Sequence, residues 1–455
     1  MFIRQLILLF PLFFIACDSK TGTSDTNPYT GPQVANEIFT PGTTLEERHM
    51  LVIRLDYANQ HFVNDESSWA AKIFGTQNQQ LNHYMSEVSN GQFQYTPVAE
   101  NDGANDGVVT VYFSSEHPDP DINSVESSLH PSLKEAVITV SNNGFDFSLY
   151  DDDQNGNITS DELLIVFIMA GEEDAYSGGS SLNGVWAHQY CTSADYTPNV
   201  NGVYVMGCDQ DGKYAIFGER HHDTITASHD ATIGIIAHEL GHAALGLIDL
   251  YDVTYNSAGI GYFGLMSSGT WGQADAQEYP GQTPVPFSAW SKIYAGWYRP
   301  AIETSTNIAL NGTGYSDYNI IKVPISGTEY FLLENRSTTG YDRGLAYPLD
   351  GTYMGGITIW HIDEDVISSK FDANTVNDNV SHKGVDLEEA NNPVLDVSWY
   401  KTGDAKNLYY RGNKTEFSPT TFPNSDSYYS SGTGISIYNI SDVGSTMTVD
   451  IINPN

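Results

Sequence analysis

The pentapeptide His238-Glu239-Leu240-Gly241-His242 carries the clearest chemistry in the chain. On a helix, histidines four residues apart share one face, so both imidazoles can reach a single metal ion. Zinc suits such donors and lowers the pKa of a bound water to about 7. Glu239, beside the first histidine, can take that water's proton. The chain continues Ala243-Ala244-Leu245-Gly246-Leu247-Ile248-Asp249-Leu250-Tyr251-Asp252. A glycine at the end of a helix turns the chain back in the left-handed conformation, and an acidic residue three positions later can supply a third ligand. Downstream, Gly264-Leu265-Met266-Ser267-Ser268-Gly269 forms a turn with one methionine.

A second pattern points to a hard cation. The segment Asp151-Asp152-Asp153-Gln154-Asn155-Gly156-Asn157-Ile158-Thr159-Ser160-Asp161-Glu162 fits a twelve-position calcium loop, with glycine at the sixth place and glutamate at the last. Asp151, Asp153, Asn155, Asn157 and Glu162 are the candidate calcium ligands. The apolar run that follows suits a strand, so the loop is expected to stiffen a sheet protein, not to act as a helix-loop-helix sensor.

Helix, glycine turn, third ligand and methionine turn together resemble the metzincin clan of zinc peptidases. The wording is similar to the immune inhibitor A family of secreted bacterial metallopeptidases. Ser288-Ala289-Trp290-Ser291-Lys292, the run Tyr330 to Arg336 (YFLLENR) and the run Gly356 to Glu364 (GITIWHIDE) extend the likeness over about His49 to Ile452. The resemblance implies a zinc endopeptidase acting on proteins or peptides, with His238, His242 and an aspartate as ligands and Glu239 as general base. One departure concerns the third ligand. The commonest clan spacing places glycine seven and the ligand ten residues after the first histidine; here Gly246 is at eight and Asp249 at eleven. The added residue must be absorbed by a longer last turn or a bulge. Asp249 keeps its offset from the glycine, and Asp252 is the alternative. Tyr251, Tyr255 and Tyr262 are candidates to stabilise an oxyanion. His221, His222, His229, His361 and His382 suit surface or satisfied core positions.

The elements that must hold these groups are legible in outline. HMLVIRLDY from His49 is a strand, a helical stretch follows over SWAAKIFGTQNQQLNHYMSEVSN, and GQFQYTPV and GVVTVYF alternate as strands. ELLIVFIMAG from Glu162 is a continuous apolar run suited to a sheet covered on both faces. DATIGIIAHELGHAAL is a helix with Asp230 as its expected N-cap. Beyond about Pro300, short strands alternate with Gly, Asn, Asp and Ser turns. The expected fold class is α+β: a metzincin-like catalytic domain over 45–300, followed by an all-β, sandwich-like region over 301–455. A peptide substrate would lie beside an edge strand, supplied by Gly91 to Val98 or by the strand beginning at Glu162.

The 455 residues hold 57 Asp and Glu against 19 Lys and Arg, a formal net charge of −38. Such a surface repels phosphate backbones, which excludes nucleic acid as a partner. Residues 1–16 form a leader whose apolar run is too short to span a bilayer. The segment Phe14-Ile15-Ala16-Cys17 resembles a lipobox, which makes Cys17 the lipidated residue and 17–44 a flexible tether. The chain is then an exported cell-envelope lipoprotein that meets the membrane through its N-terminal lipid only. Cys191 and Cys208 remain as a pair, and a disulfide is the natural inference for an exported chain. It would close a loop worth roughly 3 kcal/mol. The competing reading is a catalytically silent surface-binding or adhesion protein on a peptidase scaffold.

Overall fold

The computed structural model describes residues 45–101, 103–120, 122–177, 182–224, 227–430 and 432–454. The leader, Cys17 and the tether to residue 44 lie outside the described residues. The chain divides into two compact units, one from Arg48–Phe74 and Tyr95–Ala244, the other from Gly75–Gln94 and the chain from Leu245 onward.

The first unit is built on β1 (Glu46–Tyr57), α1 (Glu66–Phe74), β2 (Val108–Phe113), α2 (His130–Asn142), β3 (Leu164–Glu173), β4 (Tyr214–Thr224), β5 (Ala227–Asp230) and α3 (Ile233–Leu245). The strand β3 lies between β1 and β4, parallel to both, with Phe167 opposite Ile53 on one side and Ile216 on the other. All ten of its residues are buried. That is why its sequence is continuously apolar instead of alternating: neither face meets water. Leu133, Ala136 and Val137 of α2 join Leu51, Ile53, Ile165 and Phe167 in one core, each large side chain stabilising by about 1.5–3 kcal/mol. β2 runs parallel to β1.

Of the two strands expected to supply an edge, the one after Glu162 is central and cannot accept a peptide, while Phe93–Pro97 pairs with β1 and stands at one end of the strand order. The edge that precedes the histidine helix is β5, antiparallel to β4 with His229 opposite His221. Asp230, expected as an N-cap, ends this strand instead and binds Arg220 and Asn64 through its carboxylate; the helix starts three residues later.

In the second unit a five-stranded sheet runs Ala301–Ile302, Ile321–Pro324, Glu329–Arg336, Gly356–Asp363 and Val385–Leu387. A smaller antiparallel sheet joins Ile308–Asn311, Thr446–Ile452 and Ser436–Tyr438. The region is β-rich but not strictly all-β. A helix, Glu364–Lys370, leaves the strand Gly356–Asp363, started by the Asp363 carboxylate, which accepts from the amides of Asp365 and Val366. The chain as a whole is mixed α+β. The helical stretch expected near residues 68–90 is two helices, α1 and Leu81–Val88, the latter belonging to this second unit.

Candidate active site

The helix α3 runs unbroken to Leu245, and Gly246 follows with φ +64°, the left-handed turn that glycine adopts without a Cβ penalty. The added residue is therefore taken up in the helix's last turn, without a bulge. His238 and Glu239 are buried, His242 is half-buried, and the two imidazoles meet edge to face with centroids 4.9 Å apart. Along this continuous stretch, one ligand atom each from His238, His242 and Asp249 lie within 4.8 Å of one another. Two imidazoles and one carboxylate at that spacing form a donor set that fits zinc with a coordination place left over.

Asp249 is 4% exposed. Its Oδ2 accepts from the Tyr251 hydroxyl at 3.0 Å and from Asn374 Nδ2 at 2.6 Å, and its amide donates to Asn374 Oδ1 at 2.8 Å. Asp252 is engaged differently. Its carboxylate accepts from the amides of Thr254, Asn256 and Ser257 and from the hydroxyls of Thr254 and Ser257. It organises its own turn. Between the two, the Leu250 amide donates to Met266 O at 2.7 Å, and Leu250 O accepts from the Ile260 amide and from Asn377 Nδ2. The chain can approach that closely because residue 259 is glycine: a Cβ there would sit 2.1 Å from Leu250 O. Met266 is buried. Of the tyrosine candidates, Tyr251 is bonded to Asp249, and Tyr262 is half-buried, with desolvation raising its pKa against a hydrogen bond to Thr402. Tyr255 takes a left-handed backbone, φ +60°, and feels the charge of Asp249 after burial has raised its pKa.

Residues 41–298, more than half of the chain, match the family described as immune inhibitor A peptidase M6, catalytic domain. The chain belongs to this peptidase family. No individual curated protein matches it. Residues of the motifs outside the helix form a buried ionic network. Lys292 binds Glu334 at 3.1 Å, Arg336 binds Asp342, and the Trp360 indole donates to Glu334, all fully buried. Arg336 Nη1 also donates to Phe263 O at 2.8 Å, which ties the sheet to the segment just before Met266. Despite its burial, Glu334 is held down at about 2 by the charges of Lys292 and Arg336.

In the twelve-residue loop, one carboxylate oxygen each from Asp151, Asp153 and Glu162 lie within 4.8 Å of one another. The Asp151 carboxylate accepts from the amides of Asn155 and Gly156, and Glu162 accepts from those of Asp152 and Thr159. The Asn155 side chain accepts from the Asn157 amide, and Asn157 opens a short strand with Ile158. Arg48 links this loop to the histidine helix by donating to Ser160 O at 3.1 Å and to Ala244 O at 2.9 Å. Cys191 and Cys208 are disulfide-bonded, with Cα atoms 4.9 Å apart. Of the remaining histidines, His221 stacks on Tyr176, His361 lies between Glu329 and Glu388, and His382 binds Asp363.

Neither Asn374 nor Arg48 was indicated by the sequence. Both act through backbone or carboxylate partners more than a hundred residues away, and no local pattern carries such a contact.

Proposed function

We propose that the protein is an exported zinc endopeptidase of metzincin type, lipid-anchored through Cys17, with calcium stiffening the loop Asp151 to Glu162. The convergence of His238, His242 and Asp249 beside a buried glutamate, in a chain of a peptidase family, carries this reading. Zinc, when held there, supplies a Lewis acid that polarises a peptide carbonyl and acidifies water. Glu239 takes the water's proton and returns it to the leaving amine. Asp249 is preferred over Asp252 as third ligand because Asp252 spends its oxygens on five donors of its own turn. Among the described residues β5 stands at an end of the strand order, where an extended peptide would add as another strand leading toward the helix. The sandwich-like description of the region 301–455 and the cell-envelope location belong to the same proposal. The location rests on the leader and lipobox.

Casein hydrolysis and zinc content, measured for the purified chain beside Glu239→Gln, test it. The expected outcome is hydrolysis by the wild type, a loss of about 10²–10⁴-fold in the variant, and about one zinc bound by each. Zinc binding without hydrolysis of any protein substrate would favour the silent scaffold. A folded protein that takes up no zinc would sink the peptidase mechanism.

A further inference from the structure

Asn374 lies well beyond the family-matched residues 41–298, in the turn after the helix Glu364–Lys370. It makes two reciprocal bonds to one residue: Oδ1 accepts the Asp249 amide at 2.8 Å, and Nδ2 donates to Asp249 Oδ2 at 2.6 Å. A primary amide is the one uncharged side chain short enough for this position that offers an acceptor and a donor side by side. Its own backbone is fixed for the task. Asn374 takes φ +53°, a left-handed conformation that asparagine tolerates better than most residues, and its amide donates to Phe371 O at 2.9 Å. The neighbouring Asn377 holds Leu250 O at 2.9 Å, so one turn grips two consecutive residues.

We propose that Asn374 is a positioning residue for the third metal ligand, so that the metal site is complete only with a part of the chain outside the catalytic-domain match. The proposal rests on the zinc reading above and deepens it. A carboxylate on a turn after a helix can rotate about two side-chain torsions. A clamp from its own amide to one oxygen removes that freedom before any metal arrives. Tyr251 donates to the same oxygen at 3.0 Å, so two donors fix the plane of the group. Partners of this kind around a metal ligand typically hold about 10–100-fold in metal affinity.

Two full-length variants separate positioning from folding. Asn374→Gly keeps the left-handed backbone and deletes the clamp. Asn374→Asp keeps the shape and the acceptor for the Asp249 amide, but sets a second carboxylate against Asp249. Zinc dissociation constants from chelator competition, the visible spectrum of the cobalt-substituted protein and the thermal midpoint of the metal-free protein are the readouts. The expected result is an affinity loss of about 10–100-fold in Asn374→Gly and a larger one in Asn374→Asp. An altered cobalt spectrum, a lower kcat at near-constant KM and an almost unchanged metal-free midpoint should accompany it. Wild-type affinity and spectrum in both variants would overturn the assignment, as would a loss that only tracks destabilisation of the metal-free protein. A wild type that binds neither zinc nor cobalt would instead overturn the metal reading and this proposal with it.

Discussion

Two aspartates three residues apart follow the same glycine, and counting alone leaves both within reach of a metal. Hydrogen-bond accounting separates them. A carboxylate that accepts five bonds from its own turn has its lone pairs committed to that turn, whereas the Asp249 carboxylate gathers with His238 and His242 into one group of metal-donor atoms. The expected consequences diverge accordingly. Asp249→Ala should abolish tight zinc binding while the metal-free protein keeps its thermal midpoint within a few degrees. Asp252→Ala should do the reverse. It strands buried donors at Ser257 and its neighbours at a cost of about 1–3 kcal/mol for each left unpaired. The midpoint should therefore drop, while the folded fraction still binds zinc. Zinc retention by Asp249→Ala, with loss in Asp252→Ala at an unchanged midpoint, would reverse the assignment. At this scale the sequence was informative about residue types and silent about commitment. His238, Glu239 and His242 could be picked out by spacing, but nothing local says which acid is already occupied.

The elements that carry these residues were legible where burial imposes a pattern. β3 announces itself because both its faces are covered, and α3 because a helix bearing two histidines and one glutamate is otherwise apolar all round. β4 escaped notice because it changes character midway, from YAIF to ERHHDT, as it passes from the core to the rim beside β5. Arg48 shows how one element is fixed by others. Its guanidinium caps the C-terminal carbonyl of Ala244, where the helix dipole favours a cation, and reaches Ser160 in the acidic loop. Its contact with Asp161 is worth little, because that side chain is 80% exposed. Calcium in the loop would thus bear on the histidine helix through the Arg48 side chain. Arg48→Met should cost about 1.5–3 kcal/mol for a charged hydrogen bond, read by urea unfolding. Calcium should raise the thermal midpoint of the wild type, and EGTA should lower it again. Equal midpoints with calcium and with EGTA would remove calcium from the account and leave Arg48 as a cap alone.

Over the whole chain, charge and burial combine into a pH profile. Burial lowers His117, His130 and His188 to about 4 each. Their folded pKa lies below the unfolded value of about 6.5, so the stability they contribute is present above that value and lost as pH falls toward 4. Burial raises Glu173 to about 8 and Asp174 and Glu389 to about 7. Those groups stabilise below an unfolded value of about 4 and lose that contribution as pH rises through 7 and 8. His361 acts in the same direction. Burial would lower it, but Glu329 and Glu388 more than offset that and hold it at about 9, so its contribution is lost between about 6.5 and 9. The two sets oppose each other from roughly pH 4.5 to 6.5 and then cease to cancel. Above that window every one of these raised groups weakens the fold, and the net charge of −38 grows more negative with repulsion that salt screens. The thermal midpoint should therefore stay nearly level from about pH 5 to 6.5 and fall steadily toward pH 9. Added salt should recover part of the loss, and His361→Gln should flatten the upper arm. Thermal scans from pH 4 to 10 at two salt concentrations would check this. A midpoint that climbs between pH 7 and 9 would mean that the buried carboxylates and His361 are not held in the protonation states their surroundings favour.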